Sequence, residues 1–325
     1  MKKISSMLLS VILSTTIFAQ EGGKISSLAF YEYTYHTNGD PTVNNEFEFQ
    51  RVYFTYENSV SDNLEYKFQL DVGRKSDDGR LEAYLKNAVV NWHTDYGNFI
   101  IGLQSMNMFN IQEKNWGHRF IEKTPMDINK FSSSADLAIG YENSLNYDLH
   151  FSLLLSNGEG YKSQEKDAYK KVSANLVYGV SDLTKKDGFN LGGVVSFEPF
   201  ENKVGTDVQK ENSKVFGLFG GYAFSNLRVG AEYDIQTTSG VDITANIISA
   251  YANYKLIDWL QGFARLDIVD PNSDTDRDAN NYFVAGAIFS PTKGLKISPN
   301  IRYTSFENND IESITDLKLN FEFKI

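Results

Sequence analysis

Apolar and polar residues alternate one by one over long stretches of this chain. Within 295–304 and 316–325, odd-numbered positions are apolar and even-numbered positions are polar. The same two-residue period runs through 227–236 and, with the opposite parity, through 64–71. Successive side chains of a β-strand point to opposite faces, so this period predicts strands with one apolar and one polar face.

Sixteen segments carry this signal or a close variant of it. They are 24–35, 46–57, 64–73, 81–93, 98–106, 134–143, 147–156, 170–179, 189–198, 213–224, 227–236, 245–256, 260–269, 281–290, 295–305 and 313–325. Most have the roughly ten residues that a tilted strand needs to cross a bilayer. The parity changes near Gln50, which predicts a β-bulge, and again around Lys86 and Asn87.

The connections between these segments fall into two sets. Short ones occupy 58–63, 94–97, 144–146, 180–188, 225–226, 257–259 and 291–294, while most of those between them, such as 199–212, are longer. Barrels of the bacterial outer membrane have short periplasmic turns and longer outer loops. The sequence therefore predicts an all-β fold, an antiparallel transmembrane β-barrel of about sixteen strands.

Composition separates this barrel from other membrane and soluble folds. Mean hydropathy is −0.36 although aromatic residues reach 14 %. No later run of 18 apolar residues follows the N-terminal stretch, which excludes predicted helical spans. A soluble β-sandwich also alternates, but its strands usually have about five or six residues. A barrel with a polar interior fits both observations.

The N-terminus predicts export. Residues 1–19 combine Lys2 and Lys3, an apolar core and Ala19 before a polar stretch, as in a secretory signal peptide. Cleavage there would leave 20–325 as one barrel domain, and losing two lysines would move the net charge from −11 to −13. That charge argues against nucleic acid. We expect the bacterial outer membrane as the location, with lipid, lipopolysaccharide and small hydrophilic solutes as partners.

The longest connection, 107–133, is the strongest candidate for a functional element. Long loops in compact proteins are usually functional. If it folds inward, its charges would narrow the lumen and set the local field; otherwise it is a surface flap packed on the rim. The predicted constriction residues are Glu113, Lys114, Arg119, Glu122, Lys123 and Asp127.

Several stretches resemble a known family. They are Gly102-Leu103-Gln104, Glu113-Lys114-x-Trp116-Gly117, Glu122-Lys123-Thr124-Pro125-Met126-Asp127, Arg51-Val52-Tyr53-Phe54, Asn157-Gly158-Glu159-Gly160-Tyr161 and the acidic run 270–276. Together they make the chain similar, over essentially its whole mature length, to porins of the phosphate-selective O and P type from Bacteroidetes-like bacteria. The resemblance implies a 16-stranded barrel, often trimeric, with the third outer loop bent into the channel.

The predicted lumen face carries charges of both signs. Its residues include Lys67, Arg228, Glu232, Asp234, Arg265, Lys296, Arg302 and Lys318, with further carboxylates at Glu65, Asp71, Asp267, Asp316 and Glu322. Such mixing gives no single-sign field, so we expect weak ion selectivity rather than phosphate selectivity.

The predicted function is passive diffusion of small hydrophilic solutes or ions through a water-filled lumen. A sealed structural or adhesive barrel is the alternative. Asp148, His150 and Ser152 share one strand face, but such neighbours do not make the contacts of a hydrolase triad, so no enzyme is predicted. The run 270–276 starts like a calcium loop but lacks its glycine and final glutamate. We expect no cofactor and no metal.

Overall fold

The computed structural model describes residues 22–38, 45–74, 79–145, 148–204 and 207–325; the predicted signal segment lies outside them. The described residues form sixteen strands and two short helices. The strands are β1 (Lys24–His36), β2 (Glu46–Ser61), β3 (Leu64–Arg74), β4 (Leu81–Thr94), β5 (Gly97–Ser105), β6 (Ala135–Leu145), β7 (Leu149–Ser156), β8 (Lys171–Gly179), β9 (Gly188–Val204), β10 (Asp207–Phe224), β11 (Leu227–Thr238), β12 (Ile243–Ile257), β13 (Leu260–Asp270), β14 (Asn280–Thr292), β15 (Leu295–Phe306) and β16 (Ile314–Lys324).

Each strand pairs with its neighbours in sequence, and β1 pairs with β16 to close the barrel. The closing ladder is antiparallel and runs from Leu28 opposite Lys324 to His36 opposite Asp316. Closure leaves no unpaired sheet edge, which is the condition for a sheet to stand in lipid. The prediction of an antiparallel 16-stranded barrel is confirmed. Among the described residues, no helix is both long and apolar enough to cross a membrane.

One predicted outer loop is wrong. The segment 199–212 was expected to connect two strands, but β9 and β10 continue as a ladder as far as Val204 opposite Asp207. In this extension polar residues occupy both faces, since it contains Glu201 and Asn202 on one strand and Gln209, Lys210 and Glu211 on the other. A strand that projects beyond the lipid needs no apolar face, so it carries no two-residue period.

The outer surface of the barrel is apolar and ends in a belt of aromatic rings beside the short turns. Trp92 and Phe99 have ring centroids 5.5 Å apart, and Phe99 and Tyr141 are 5.2 Å apart. Trp259 and Phe289 stack at 6.1 Å on the far side. Such girdles mark the water–lipid interface of outer-membrane barrels.

Two β-bulges lie where the parity of the sequence changes. Between β1 and β2 the register shifts so that Gln50 is the extra residue, which confirms the predicted bulge. Between β3 and β4, Gln69 pairs with Asn87 and Leu70 with Leu85, so that Lys86 is the extra residue. This second bulge turns both Lys86 and Asn87 inward, where both are buried.

Candidate pore constriction

The connection between β5 and β6 contains two helices, α1 (Asn110–Trp116) and α2 (Pro125–Ile128). Helix α1 ends at Gly117, whose φ of 72° is left-handed and whose N–H donates to the carbonyl of Glu113. Helix α2 begins with Pro125 directly after Thr124, because proline at the first helical position loses no helical hydrogen bond. The sequence thus folds this connection into compact, capped turns.

Apolar contacts hold this connection against inward-facing residues of the wall. Met108, Phe109, Ile111, Met126 and Phe131 belong to one buried cluster with residues of β8 to β13, namely Val177, Val194, Val215, Phe219, Ala245, Ile247 and Val269. Small residues of β10 make room for it: a Cβ on Gly221 would lie 3.0 Å from Asn115. The connection therefore covers one side of the barrel interior instead of standing above the rim.

Three arginines of the wall bind backbone carbonyls of the connection. Arg228 donates from Nη2 to the Trp116 carbonyl (3.0 Å), and Arg265 donates from Nη1 to the Lys123 carbonyl (2.5 Å). Arg302 donates to the Ile121 carbonyl. We call these the arginine clamp. They come from β11, β13 and β15, so the connection is fixed along a broad arc of the wall.

Glu122 and His118 complete the attachment. Glu122 accepts hydrogen bonds from Arg302 Nη1 (2.6 Å) and the Tyr282 hydroxyl (2.8 Å). Burial opposes ionisation of Glu122, but the charges of Arg302 and Arg265 outweigh it and lower the pKa of this carboxyl. Burial, with the charges of Arg228 and Lys296, lowers the pKa of His118 well below its ordinary value, so the imidazole is neutral.

The predicted lumen charges consequently divide into two groups. Arg265, Arg302, Glu232 and Asp234 face inward, but they are at most 9 % exposed because the connection covers them. Their burial limits the contact with lumen water that was expected of them, although Arg302 still borders the outer cavity. Lys67, Lys296 and Lys318 are ion-paired with Glu57, Glu322 and Glu32 at 3.4, 2.7 and 2.6 Å.

The predicted constriction residues also occupy different places. Arg119 binds both Glu113 and Asp127, the latter at 2.9 Å. Lys123 is exposed beside a cavity on the outer side, whereas Lys114 lines another cavity near the short turns. Only Arg119 with its two carboxylates forms a compact charged group at mid-depth.

A cluster on the opposite wall faces this group, and the sequence did not single it out as a site. Lys86 donates to the Tyr53 hydroxyl (2.7 Å) and lies 4.7 Å from the centre of the Tyr53 ring. Arg51 donates to the same hydroxyl and lies 3.7 Å from Asp71. The change of parity at Lys86 was the available signal, because a bulge can redirect a side chain.

The outer end of this cluster comes from the connection between β7 and β8. The Tyr161 hydroxyl donates to Asp71 at 2.6 Å, and Lys162 lies 4.6 Å from the ring centre of Tyr84. Burial lowers the pKa of Lys162, with smaller effects of nearby charges. Lys86 itself is 5.7 Å from the ring centre of Tyr161. Cations and aromatic rings therefore alternate along this part of the wall.

Two cavities lie on either side of the mid-depth groups. The outer one, of about 470 Å³, is bounded by both the wall and the connection; its charged lining residues are Arg51, Arg74, Arg119, Lys123, Lys162, Arg302, Lys318, Glu32, Asp71 and Glu122. The inner one, of about 230 Å³, is rich in amides, with Asn87, Asn91, Gln104, Asn107 and Asn110 among its lining residues. A polar space therefore adjoins the connection from both ends of the barrel.

The hydrolase-like set does not assemble. His150 Nδ1 lies 2.7 Å from the Ser144 hydroxyl, while Ser152 contacts the side chain of Asn107. Within the described ranges, no group of three or more His, Asp or Glu side chains could hold a metal ion.

Comparisons with known proteins show which solved structures share this fold. No family model matches the chain, and no curated protein matches it either. An anion-selective porin from Comamonas acidovorans has a TM-score of 0.68 at 12 % identity, covering 94 % of this chain and 99 % of that one. The fold is that of outer-membrane porins.

Two further structures agree. The outer membrane channel DcaP of Acinetobacter baumannii has a TM-score of 0.67 at 11 % identity, with 94 % of this chain and 99 % of that chain covered. A trimer form of OmpT, an outer membrane protein of Vibrio cholerae, has a TM-score of 0.62 at 13 % identity, with 94 % and 100 % covered. At such identities the likeness concerns the fold, and the resemblance to the O and P type stays a prediction.

Proposed function

We propose that this chain is an outer-membrane porin through which small hydrophilic solutes or ions diffuse passively. The observation that carries the proposal is a closed barrel, apolar outside, whose interior holds polar cavities beside the inserted connection. Two of the similar solved structures are described as a porin and as a channel. Outward residues such as Leu191 and Phe189, 64 % and 51 % exposed, would contact lipid in the bacterial outer membrane.

The route that we propose passes between the connection and the wall of β2 to β4. A solute would enter the outer cavity, pass Arg119 opposite Lys86, and leave through the amide-lined cavity. The outer cavity has seven basic lining residues, Arg51, Arg74, Arg119, Lys123, Lys162, Arg302 and Lys318, and three acidic ones, Glu32, Asp71 and Glu122. Since most of these bases are ion-paired, we expect only a weak preference for anions.

Planar-bilayer recording tests the proposal against a sealed structural or adhesive barrel. Pure folded protein should give stepwise currents in potassium chloride, and liposomes that contain it should swell in small sugars. A folded, membrane-inserted protein that gives neither current nor swelling would establish the sealed alternative.

We also propose a homotrimer, with lipid and lipopolysaccharide around it. Aromatic residues of the closing strands form an outward patch in which Tyr31 stacks on Phe321 and Phe323 at 4.9 and 5.0 Å. Chemical cross-linking in detergent should give a band of three chains, and Tyr31→Lys should weaken it. An unchanged single-chain band under all conditions would exclude the trimer.

A further inference from the structure

A carboxyl group is buried without a partner beneath the inserted connection. Asp234 of β11 is fully buried, and neither of its side-chain oxygens has a hydrogen-bond partner among the described residues. Its surroundings are apolar: a Cβ on Gly217, its neighbour on β10, would touch Asp234, Val194 and Met126 together. Met126 belongs to the connection, so this carboxyl lies in the surface on which the connection docks.

The charges that face Asp234 are mainly negative. They are Glu232 on its own strand, whose Oε2 is also unpartnered, and Asp267 on β13. The nearby cation is Arg265, which is already committed: Nε and Nη2 bind Asp267, and Nη1 binds the carbonyl of Lys123. Apolar residues lie beside Asp234: Ile247 is its cross-strand partner on β12, and Val194 and Met126 border the same Gly217 Cβ position as its carboxyl.

This arrangement favours a neutral carboxyl. An ionised carboxylate that is buried without a counter-ion is costly, so a docked connection requires the protonated form. Water could solvate the charge only if the connection moved away. The docked state therefore binds a proton that the loosened state releases, so docking weakens as the pH rises.

We propose that Asp234, with Glu232 beside it, is a proton-controlled latch for the connection between β5 and β6. The protonated carboxyls permit the connection to lie against β9 to β13, and ionisation loosens it. The latch concerns the position of the connection and holds whether or not the barrel conducts.

Trp116 offers a direct readout of docking. It is 2 % exposed within the connection, whereas the other two tryptophans, Trp92 and Trp259, face outward and are 48 % and 51 % exposed. In a Trp92→Phe/Trp259→Phe parent, quenching of fluorescence by acrylamide reports on Trp116 alone. The measurement runs from about pH 5 to about pH 9, where tyrosine keeps its ordinary protonated form. Burial lowers the pKa of His118, beside Trp116, well below its ordinary value in the docked state.

The parent should show little quenching at the acidic end and severalfold more at the alkaline end. Asp234→Asn and Asp234→Leu, the second of which suits the apolar surroundings, should remain poorly quenched throughout. Glu65→Gln, at the inner mouth away from the connection, should behave like the parent.

Two results would overturn the latch. One is a parent whose quenching does not change with pH, and the other is a pH response that survives in both Asp234 variants or disappears in Glu65→Gln. Neither result depends on conductance, so failure of the latch and failure of the porin proposal remain separate.

Discussion

The arginine clamp anchors the connection to the barrel wall. Replacing Arg302 by Met would leave Glu122 buried without its nearest cation and would free the Ile121 carbonyl. Breaking a buried pair of this kind costs about 3–5 kcal/mol, so the connection should loosen at a lower urea concentration. The urea dependence of Trp116 fluorescence in the parent without Trp92 and Trp259 measures this change.

A second substitution distinguishes the lost charge pair from lost packing. Adding Glu122→Gln to Arg302→Met removes the unpaired carboxylate and should recover part of the stability. Lys296→Met, at a partly exposed pair with Glu322, should cost at most about 1 kcal/mol. Equal losses for Arg302→Met and Lys296→Met would contradict the anchoring role.

Lys86 is the residue whose charge should matter most for selectivity. It lies at mid-depth, and its ammonium is bound to a neutral tyrosine hydroxyl rather than to a carboxylate. Lys86→Met should therefore shift the reversal potential in a salt gradient toward cations by several millivolts, consistent with roughly a twofold change in permeability ratio. Lys185→Met, at an exposed turn, is the control, and a shift of the same size there would disprove a local effect.

For single residues, the sequence predicted which face of the barrel wall a side chain occupies but not which segment covers it. The two-residue period placed Arg228, Arg265 and Arg302 on the inner face. It could not show that a segment more than a hundred residues earlier would occupy their donors, because periodicity describes one strand at a time. Similarly, Tyr53 and Tyr161 meet only through pairing and loop geometry.

Strands were predictable wherever they cross the apolar band. The alternation located all sixteen, and errors in their bounds concentrate in β9 and β10, where both faces are polar. The bulge at Gln50 was also readable, since an extra residue reverses the parity of everything after it. The alternation of apolar and polar residues thus reflects contact with lipid, and it ends where a strand leaves the lipid.

The bulge gives an element-scale prediction. Deleting Gln50 should leave a foldable barrel, because Phe49 and Arg51 already pair with the consecutive residues Tyr31 and Phe30. Deleting Thr55 in the regular part of β2 would instead move 56–61 to opposite faces. Folding is measured by the heat-modifiable electrophoretic mobility of the refolded protein in detergent. If both deletions folded equally well, strand register would not depend on lipid-facing alternation.

At the scale of the whole molecule, the wall of β8 to β13 differs from the rest of the interior because apolar residues lie there among the buried polar and charged ones. On β8 to β13 the inward positions include Val194, Val215 and Ile247, which a water-filled lumen would not need. Their apolar side chains pack against the inserted connection. They distinguish the wall that holds the connection from the wall that faces water. A barrel without such an insertion would expose them to water, at a cost of about 25 cal/mol per Å².

Removing the insertion should therefore widen the lumen while leaving the barrel closed. Replacing 112–127 by a short Gly/Ser linker should raise single-channel conductance by roughly twofold or more, because the width of the narrowest part limits flow. The strand ladders do not involve these residues, so the barrel should still fold, although the uncovered apolar wall should lower its stability. Deleting 272–278 from the β13–β14 connection is the matched control and should leave conductance unchanged. An unaltered conductance without 112–127 would mean that solutes pass where this segment does not constrain them.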